Sequence, residues 1–340
     1  MKLVTFKNNQ NQQRLGILIN QKIYDSHLHS DKLPDNMLAL LQTGERGMDA
    51  MREAENAIKE GKTSVEGLAY NDSILLAPIT NPTSCRDGYA FRQHVAAARR
   101  NRNVPMIPEF DQYPIFYFTN HNAIQGPGDI YCMPDHFNKL DFELEVAVVL
   151  GKTGRNIKAE KADEYIAGYT IMNDMSARTL QMEEMLLNLG PAKGKDFSTV
   201  IGPYMVTPDE LKAHLTPAKT NHTGNSHALD MKCWVNGIEV SSGSVGDMDW
   251  TFAEIIERCA YGVDVIAGDV IGSGTVGTGC FLELNGTGLL NDKNFQPQWL
   301  QANDVVEMEI TGLGRLKNTI KAVDTDFSIL ALKKAAAVGQ

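Results

Sequence analysis

Four acidic side chains set far apart in the chain carry the first chemical signal: Asp87, the Glu143-Leu-Glu145 pair and Asp174. The pair lies in Leu140-Asp-Phe-Glu-Leu-Glu-Val-Ala-Val-Val-Leu150, where acidic and apolar residues alternate before the run turns wholly apolar. Period-two alternation predicts a β-strand with Asp141, Glu143 and Glu145 on one face. The apolar continuation takes that strand into a core. Carboxylates at the mouth of a core repel each other unless a cation or basic group lies between them. Asp and Glu oxygens without His or Cys suit Mg²⁺, Mn²⁺ or Ca²⁺ rather than zinc. The same spacing also fits an edge strand with a solvated acidic face. Asp174 closes an apolar run from Gly168, where it can face a cleft or, taken alone, cap a helix.

Two further residues invite acid–base chemistry. His94 falls in a short predicted helix after Asp87, and imidazole titrates closest to neutrality. A lone helical histidine also fits a structural role. Glu283 interrupts the apolar run Cys280-Phe-Leu-Glu-Leu284, which reads as a strand. A carboxylate there needs a partner, and an imidazolium would serve. Nothing in the spacing pairs the two.

The elements that must position these groups form a chain of 340 residues, enough for two domains or one large domain with an appendage. Residues 1–72 read as a small N-terminal α/β domain and 73–340 as a strand-rich mixed body. Strands are expected at Leu3–Phe6, Arg14–Ile19 and Lys22–Asp25, the last two joined by a tight turn at Asn20-Gln21. Helices are expected at 35–41 and 47–59. His27 and His29 read as surface residues beside a turn. Capping boxes are expected at Thr207-Pro-Asp-Glu210 and Thr251-Phe-Ala-Glu254, the second ahead of an apolar stripe of Phe252, Ile255, Ile256 and Cys259.

The formal charge of −10, without basic termini, argues against nucleic-acid or anionic-membrane partners. Arg99-Arg100-Asn-Arg102 is the local exception, read as one substrate contact and a solvated helix end. No apolar stretch reaches the roughly 18 residues of a membrane span, and the first ten residues turn polar too early for a signal peptide. Five cysteines without C-x-x-C spacing read as reduced thiols of a cytoplasmic protein. Gly272-Ser-Gly-Thr-Val-Gly277 matches a dinucleotide fingerprint, but the strand expected after it excludes that use, which requires a helix. Gly190-Pro-Ala-Lys-Gly-Lys195 is too short for a phosphate loop.

Taken together, Arg86–His94, Leu140–Glu145, Met172–Arg178, Gly194–Phe197 and Gly272–Leu284 occur in the order found in the fumarylacetoacetate hydrolase family, and the chain resembles that family over roughly residues 75 to 335. The resemblance implies an α+β fold: a mixed β-roll catalytic body after the small N-terminal domain, assembled as a homodimer. It implies that Asp87, Glu143, Glu145 and Asp174 ligate a divalent cation, Mg²⁺ foremost with Mn²⁺ or Ca²⁺ as alternatives. His94 then matches the general base and Glu283 the carboxylate that holds it. Lys195 and Gln181 match an oxyanion-stabilising pair. Tyr89, Tyr117 and Thr275 match substrate contacts, with Arg102 beside the position of a substrate arginine, and Lys195 with Thr199 a second cation position.

The implied activity is hydrolytic C–C cleavage of an acylpyruvate or related β-diketo acid, with His94 and Glu283 activating water. The alternatives are a 2-oxo acid decarboxylase, tautomerase or dehydratase using the same metal site, and a non-catalytic ketoacid-binding protein. Met185, Met175, Thr179 and Asn103 replace family residues, and one extra residue precedes Lys195. These departures touch the substrate tail more than the metal position.

Overall fold

Leu144–Leu150 explains the architecture. All seven of its residues are buried, and in the computed structural model, which describes residues 1–30 and 33–334, it lies deep within an eleven-stranded sheet. Leu144, Val146, Val148 and Leu150 enter one apolar cluster, and Ala147 and Val149 enter another. The sheet is therefore covered on both faces, as a strand of continuous apolar character requires. Each fully buried Val or Leu contributes about 1.5–3 kcal/mol relative to exposure.

Outward from that strand, one side runs through Ile166–Asp174, Thr199–Val206, Lys2–Lys7, Gln13–Ile19 and Lys22–Asp25 to Leu68–Ala69. The other side runs through Val270–Gly272 and Cys85–Gly88 to Phe116–Thr119. Residues 1–72 thus share a sheet with the rest of the chain, Leu3 pairing with Met205. Met37, Leu40, Met51 and Ile58 of their helices join the Ala147–Val149 cluster. A second sheet of five strands, in the order Ile238–Ser244, Asp230–Val235, Val305–Ile310, Gly314–Ala322 and Gly128–Cys132, packs on the opposite face. Mixed sheets with helices on their faces make the α+β fold expected from the sequence.

The hairpin at Asn20-Gln21 is tight, with φ of 49° and 60° suited to a type I′ turn. The two expected helices are Met37–Gln42 and Glu45–Lys59, after a single turn of helix at Ser26–His29; Asn36 caps the first of the two by accepting the amide of Ala39 at 2.9 Å, so Asp35 stays outside. His27 is exposed and His29 half-buried. All five cysteines are free and buried. Among the described residues no helix is long and apolar enough to cross a membrane.

The Thr251–Glu254 capping box is present, and Phe252, Ile255, Ile256 and Cys259 are buried along the helix Phe252–Ala260. Thr251→Ala should lower the unfolding free energy by about 1 kcal/mol in urea titrations, and Thr251→Ser should retain most of it. The box expected at Thr207–Glu210 does not form. Pro208–His214 is a 3₁₀ helix without a side-chain cap, because Thr207 and Glu210 instead accept the buried amine of Met1 at 2.6 and 3.0 Å.

Candidate active site

The strands Cys85–Gly88, Leu144–Leu150 and Ile166–Asp174 deliver the acidic cluster, with Val270–Gly272 between the first two. Gly272 stands opposite both Asp87 and Ala147, and Glu145 stands opposite Met172, which places Asp87, Glu145 and Asp174 at one end of the sheet. Carboxylate oxygens of these three residues lie within 4.8 Å of one another, and all three residues are buried. The solvated-edge alternative and the cap alternative for Asp174 are therefore both excluded.

One expectation about the strand needs correction. Asp141, Glu143 and Glu145 do not share a regular face. Pairing is interrupted between Leu140–Asp141 and Leu144–Leu150, where the Asn173 side chain accepts the amide of Glu143 at 3.1 Å. Asp141 turns toward Arg178, Glu143 toward Arg178 and Lys195, and Glu145 toward Asp87 and Thr275.

Two of the three glycines in the rejected dinucleotide match form the floor of this cluster. A Cβ on Gly272 would lie 2.5 Å from Asp87 Oδ1 and 3.0 Å from Glu145 Oε2. Only glycine lets both carboxylates approach from opposite sides. Gly274, at φ +79°, donates its amide to Asp87 Oδ1 at 3.0 Å.

Burial pushes Asp87 up to about 7, with the charge of Asp174 adding to it. Burial also raises Glu145, together with Asp87 and Asp174, and raises Asp174 itself. Glu143 is the exception. Burial would raise it, but the Lys195 and Arg178 cations outweigh burial and hold it well below the usual range. Lys195 Nζ donates to Asp174 Oδ2 at 2.7 Å and also to Glu143 Oε2. Tyr117 donates to the same Asp174 oxygen at 2.5 Å, and Thr275 donates to Glu145 Oε1 at 3.2 Å.

Glu145 Oε2 and Asp174 Oδ1 remain buried without a partner among the described residues, as does Thr199 Oγ1, which is in register with Asp174. Two orphaned carboxylate oxygens within a cluster of three are what a hard divalent cation requires. The donor set fits the family's metal. Binding would displace protons held by the raised carboxylates. The apparent Mg²⁺ dissociation constant should therefore fall as pH rises from 6 to 8, by about tenfold per unit for each proton displaced. Calorimetry in buffers of different ionisation enthalpy would count those protons.

Glu283 is not on a strand. Phe281–Asn291 is a helix, and Glu283 is its third residue. Gly286 lets this helix approach the helix Arg92–Asn101, since a Cβ there would sit 2.8 Å from Asn101 Cβ. His94 Nδ1 and Glu283 Oε2 meet across the two helices at 2.6 Å, both residues buried. A dinucleotide remains excluded, although for a different reason. The first two amides of the Phe281 helix, from Phe281 and Leu282, already donate to Asp141 at 2.8 and 2.9 Å.

A cavity of about 690 Å³ opens onto Asp87, Glu143, His94, Glu283, Lys195 and Thr275 together. Tyr89 stands edge-on to the His94 ring, 6.1 Å between centroids. Tyr117 and Gln181 also line the cavity, and the exposed Arg102 and Met185 stand in its outer wall. Gln181 Oε1 accepts from Arg178 Nη1 at 3.0 Å.

Sequence reasoning missed Arg178, which is buried and donates to Asp141 and to Glu143, 2.8 Å each. Its signal was present in the Ser-Ala-Arg segment, an arginine directly after a buried strand. It also missed Cys280, which lies with His94 and Glu143. Burial and nearby Asp141 push that thiol well above its ordinary range, so it stays protonated.

Mixed sheets closing around a carboxylate cluster and a His–Glu pair define an enzyme fold. The family described as "Fumarylacetoacetate (FAA) hydrolase C-terminal" matches residues 83–321, and the chain belongs to the fumarylacetoacetate hydrolase family. It is 31% identical over 332 residues to the mitochondrial oxaloacetate tautomerase fahd2 of Xenopus laevis, covering 94% of this chain and 90% of that protein. It is 28% identical over 324 residues to the oxaloacetate tautomerase YisK of Bacillus subtilis (strain 168), covering 91% and 97%.

Among solved structures, the fumarylacetoacetate hydrolase of Exiguobacterium antarcticum aligns with a TM-score of 0.70 at 26% identity, covering 95% of this chain and all of that one. The fold also matches maleylpyruvate hydrolase from Sphingobium sp. SYK-6, solved with manganese(II) and pyruvate, with a TM-score of 0.67 at 19% identity. That alignment covers 95% of this chain and 99% of the other.

Proposed function

We propose that the protein is a divalent-cation-dependent tautomerase of a 2-oxo acid of the oxaloacetate type. The observation that carries this is the 2.6 Å His94–Glu283 pair opening onto the same cavity as Asp87 and Glu143. Glu283 takes up Nδ1 and leaves Nε2 of His94 to exchange a proton with the substrate. Asp87, Glu145 and Asp174, with Glu143 beside them, would hold the cation, Mg²⁺ foremost. When bound, that cation supplies Lewis acidity toward negative charge on the substrate oxygens. Keto–enol exchange then needs one proton taken from the carbon beside the ketone and one delivered to its oxygen. His94 serves the first transfer in one direction and its reverse in the other. Tyr89, Thr275 and Arg102 line the space for the substrate.

Hydrolysis of an acylpyruvate, the leading expectation from the sequence, becomes the second reading. It uses the same pair to take a proton from water. It also needs donors for a tetrahedral oxyanion; Lys195 already donates to Glu143 and Asp174, whereas Gln181 accepts from Arg178 through Oε1 and keeps its Nε2 as a donor. The first reading is favoured by the two relatives described above, which both carry the name oxaloacetate tautomerase. Five buried free cysteines support a reducing compartment such as the cytoplasm. The homodimer implied by the family resemblance belongs to the same reading, and light scattering giving a monomer would remove it.

The test follows freshly dissolved enol oxaloacetate with Mg²⁺ by the loss of enol absorbance, with acylpyruvates run in parallel by NMR. Accelerated enol decay without loss of carbon supports the tautomerase. Two carboxylic acids released from an acylpyruvate, with enol decay unaffected, replaces it with the hydrolase. Cation binding with neither activity leaves a non-catalytic ketoacid binder.

A further inference from the structure

Asp141 takes no part in the proposed proton transfer, yet its fully buried carboxylate accepts four hydrogen bonds. They come from the amides of Phe142, Phe281 and Leu282 at 2.9, 2.8 and 2.9 Å and from Arg178 Nε at 2.8 Å. The second and third of these donors are the first two amides of the helix Phe281–Asn291. Such amides lack partners inside a helix and are ordinarily met by the side chain at its N-cap. Here the N-cap is Cys280, and it makes no side-chain cap bond. An acid from a distant strand does that work and sets a full negative charge against the positive end of the helix dipole.

Glu283 follows Leu282 directly, so the hold on the first turn sets where its carboxylate meets His94. The far side of that turn is fixed from the His94 helix itself, where Asn101 Nδ2 donates to Glu283 O at 3.1 Å. The same Asp141 carboxylate grips Arg178, whose Nη2 holds Glu143 Oε1 at 2.8 Å. One residue therefore joins the helix that carries half of the His–Glu pair to the strand that carries the acidic cluster.

We propose that Asp141 is a positioning residue that acts through Glu283, seating that carboxylate against His94 by clamping the Phe281 helix from outside. This rests on the proton-transfer reading of His94 and Glu283. Asp141→Asn keeps the shape but offers one acceptor oxygen, removes the charge and turns an NH₂ group toward N–H donors. Turnover of enol oxaloacetate should fall about 10–100-fold, the range typical when the partner of an active group is lost. KM and Mg²⁺ affinity should change far less.

Two readouts separate positioning from general damage. In cation-free protein, the far-downfield proton resonance expected of the His94 Nδ1–Glu283 bond should shift or vanish in Asp141→Asn. In a double-mutant cycle, Asp141→Asn should add little to the loss caused by Glu283→Gln. If the two losses multiply, or the resonance stays in place, the proposal is overturned while the proton-transfer reading survives. If Glu283→Gln alone leaves turnover intact, both fail together. Should Asp141→Asn not fold, Asp141→Asn with Cys280→Ser carries the same comparison, because serine gives the helix a cap of its own.

Discussion

Replacing His94 by alanine should lower turnover of enol oxaloacetate by about 10²–10⁴-fold, the span expected when a positioned general base is lost. The prediction is specific because of what His94 touches. Its Nδ1 is hydrogen-bonded to Glu283, and that carboxylate has no place in the cluster of Asp87, Glu145 and Asp174. Cation affinity measured by calorimetry should therefore stay close to that of the parent protein. Glu283→Gln should retain the imidazole but loosen its orientation, giving a smaller loss than His94→Ala. A parallel collapse of cation affinity and turnover in His94→Ala would show instead that the histidine supports the cluster structurally.

The second large effect belongs to Glu145. Glu145→Gln removes a carboxylate whose Oε2 is buried without a partner among the described residues, and Mg²⁺ affinity should fall by at least about 10–100-fold, the loss already seen for residues that only support ligands. The same substitution should stabilise the cation-free protein at pH 8. Burial and the neighbouring charges raise Glu145 and bring Asp87 to about 7. The folded state then binds more protons than the unfolded chain, so stability is full below pH 4 and is lost as pH rises toward and past 7. Each unit of upward shift corresponds to ~1.4 kcal/mol. Removing one of the repelling charges should recover on the order of 1–2 kcal/mol. Thermal melts with chelator at pH 5 and pH 8 would show it. A variant that melts lower than the parent at pH 8 would mean the Glu145 charge is already neutralised in the cation-free protein.

The sequence made the strands and several local devices legible because their signals are local. The Asn20-Gln21 turn and the Thr251–Glu254 box depend on neighbours within a few residues, and both are present. The errors share a different cause. Phe281-Leu-Glu-Leu284 is short and apolar, and such a run fits strand or helix equally. What makes it a helix is Asp141, 140 residues earlier. Thr207 and Glu210 carry a sound capping pattern but are diverted by the amine of Met1, 206 residues from Thr207. Likewise, the acidic cluster was recognisable as residue types, whereas the opposition of Asp87 to Gly272 arises from the parallel pairing of two strands that no spacing announces.

Lys195 and Arg178 have a consequence for the life history of the molecule. Small metal domains that lack internal counter-charge fold only as the ion arrives. Here the chain places its own ammonium and guanidinium against Glu143, Asp174 and Asp141. Maturation can then run in sequence: the polypeptide reaches its native shape first and acquires its ion afterwards. The ion that ends up bound is then decided by the free pools around a finished protein rather than by whichever ion is present as the ribosome releases it.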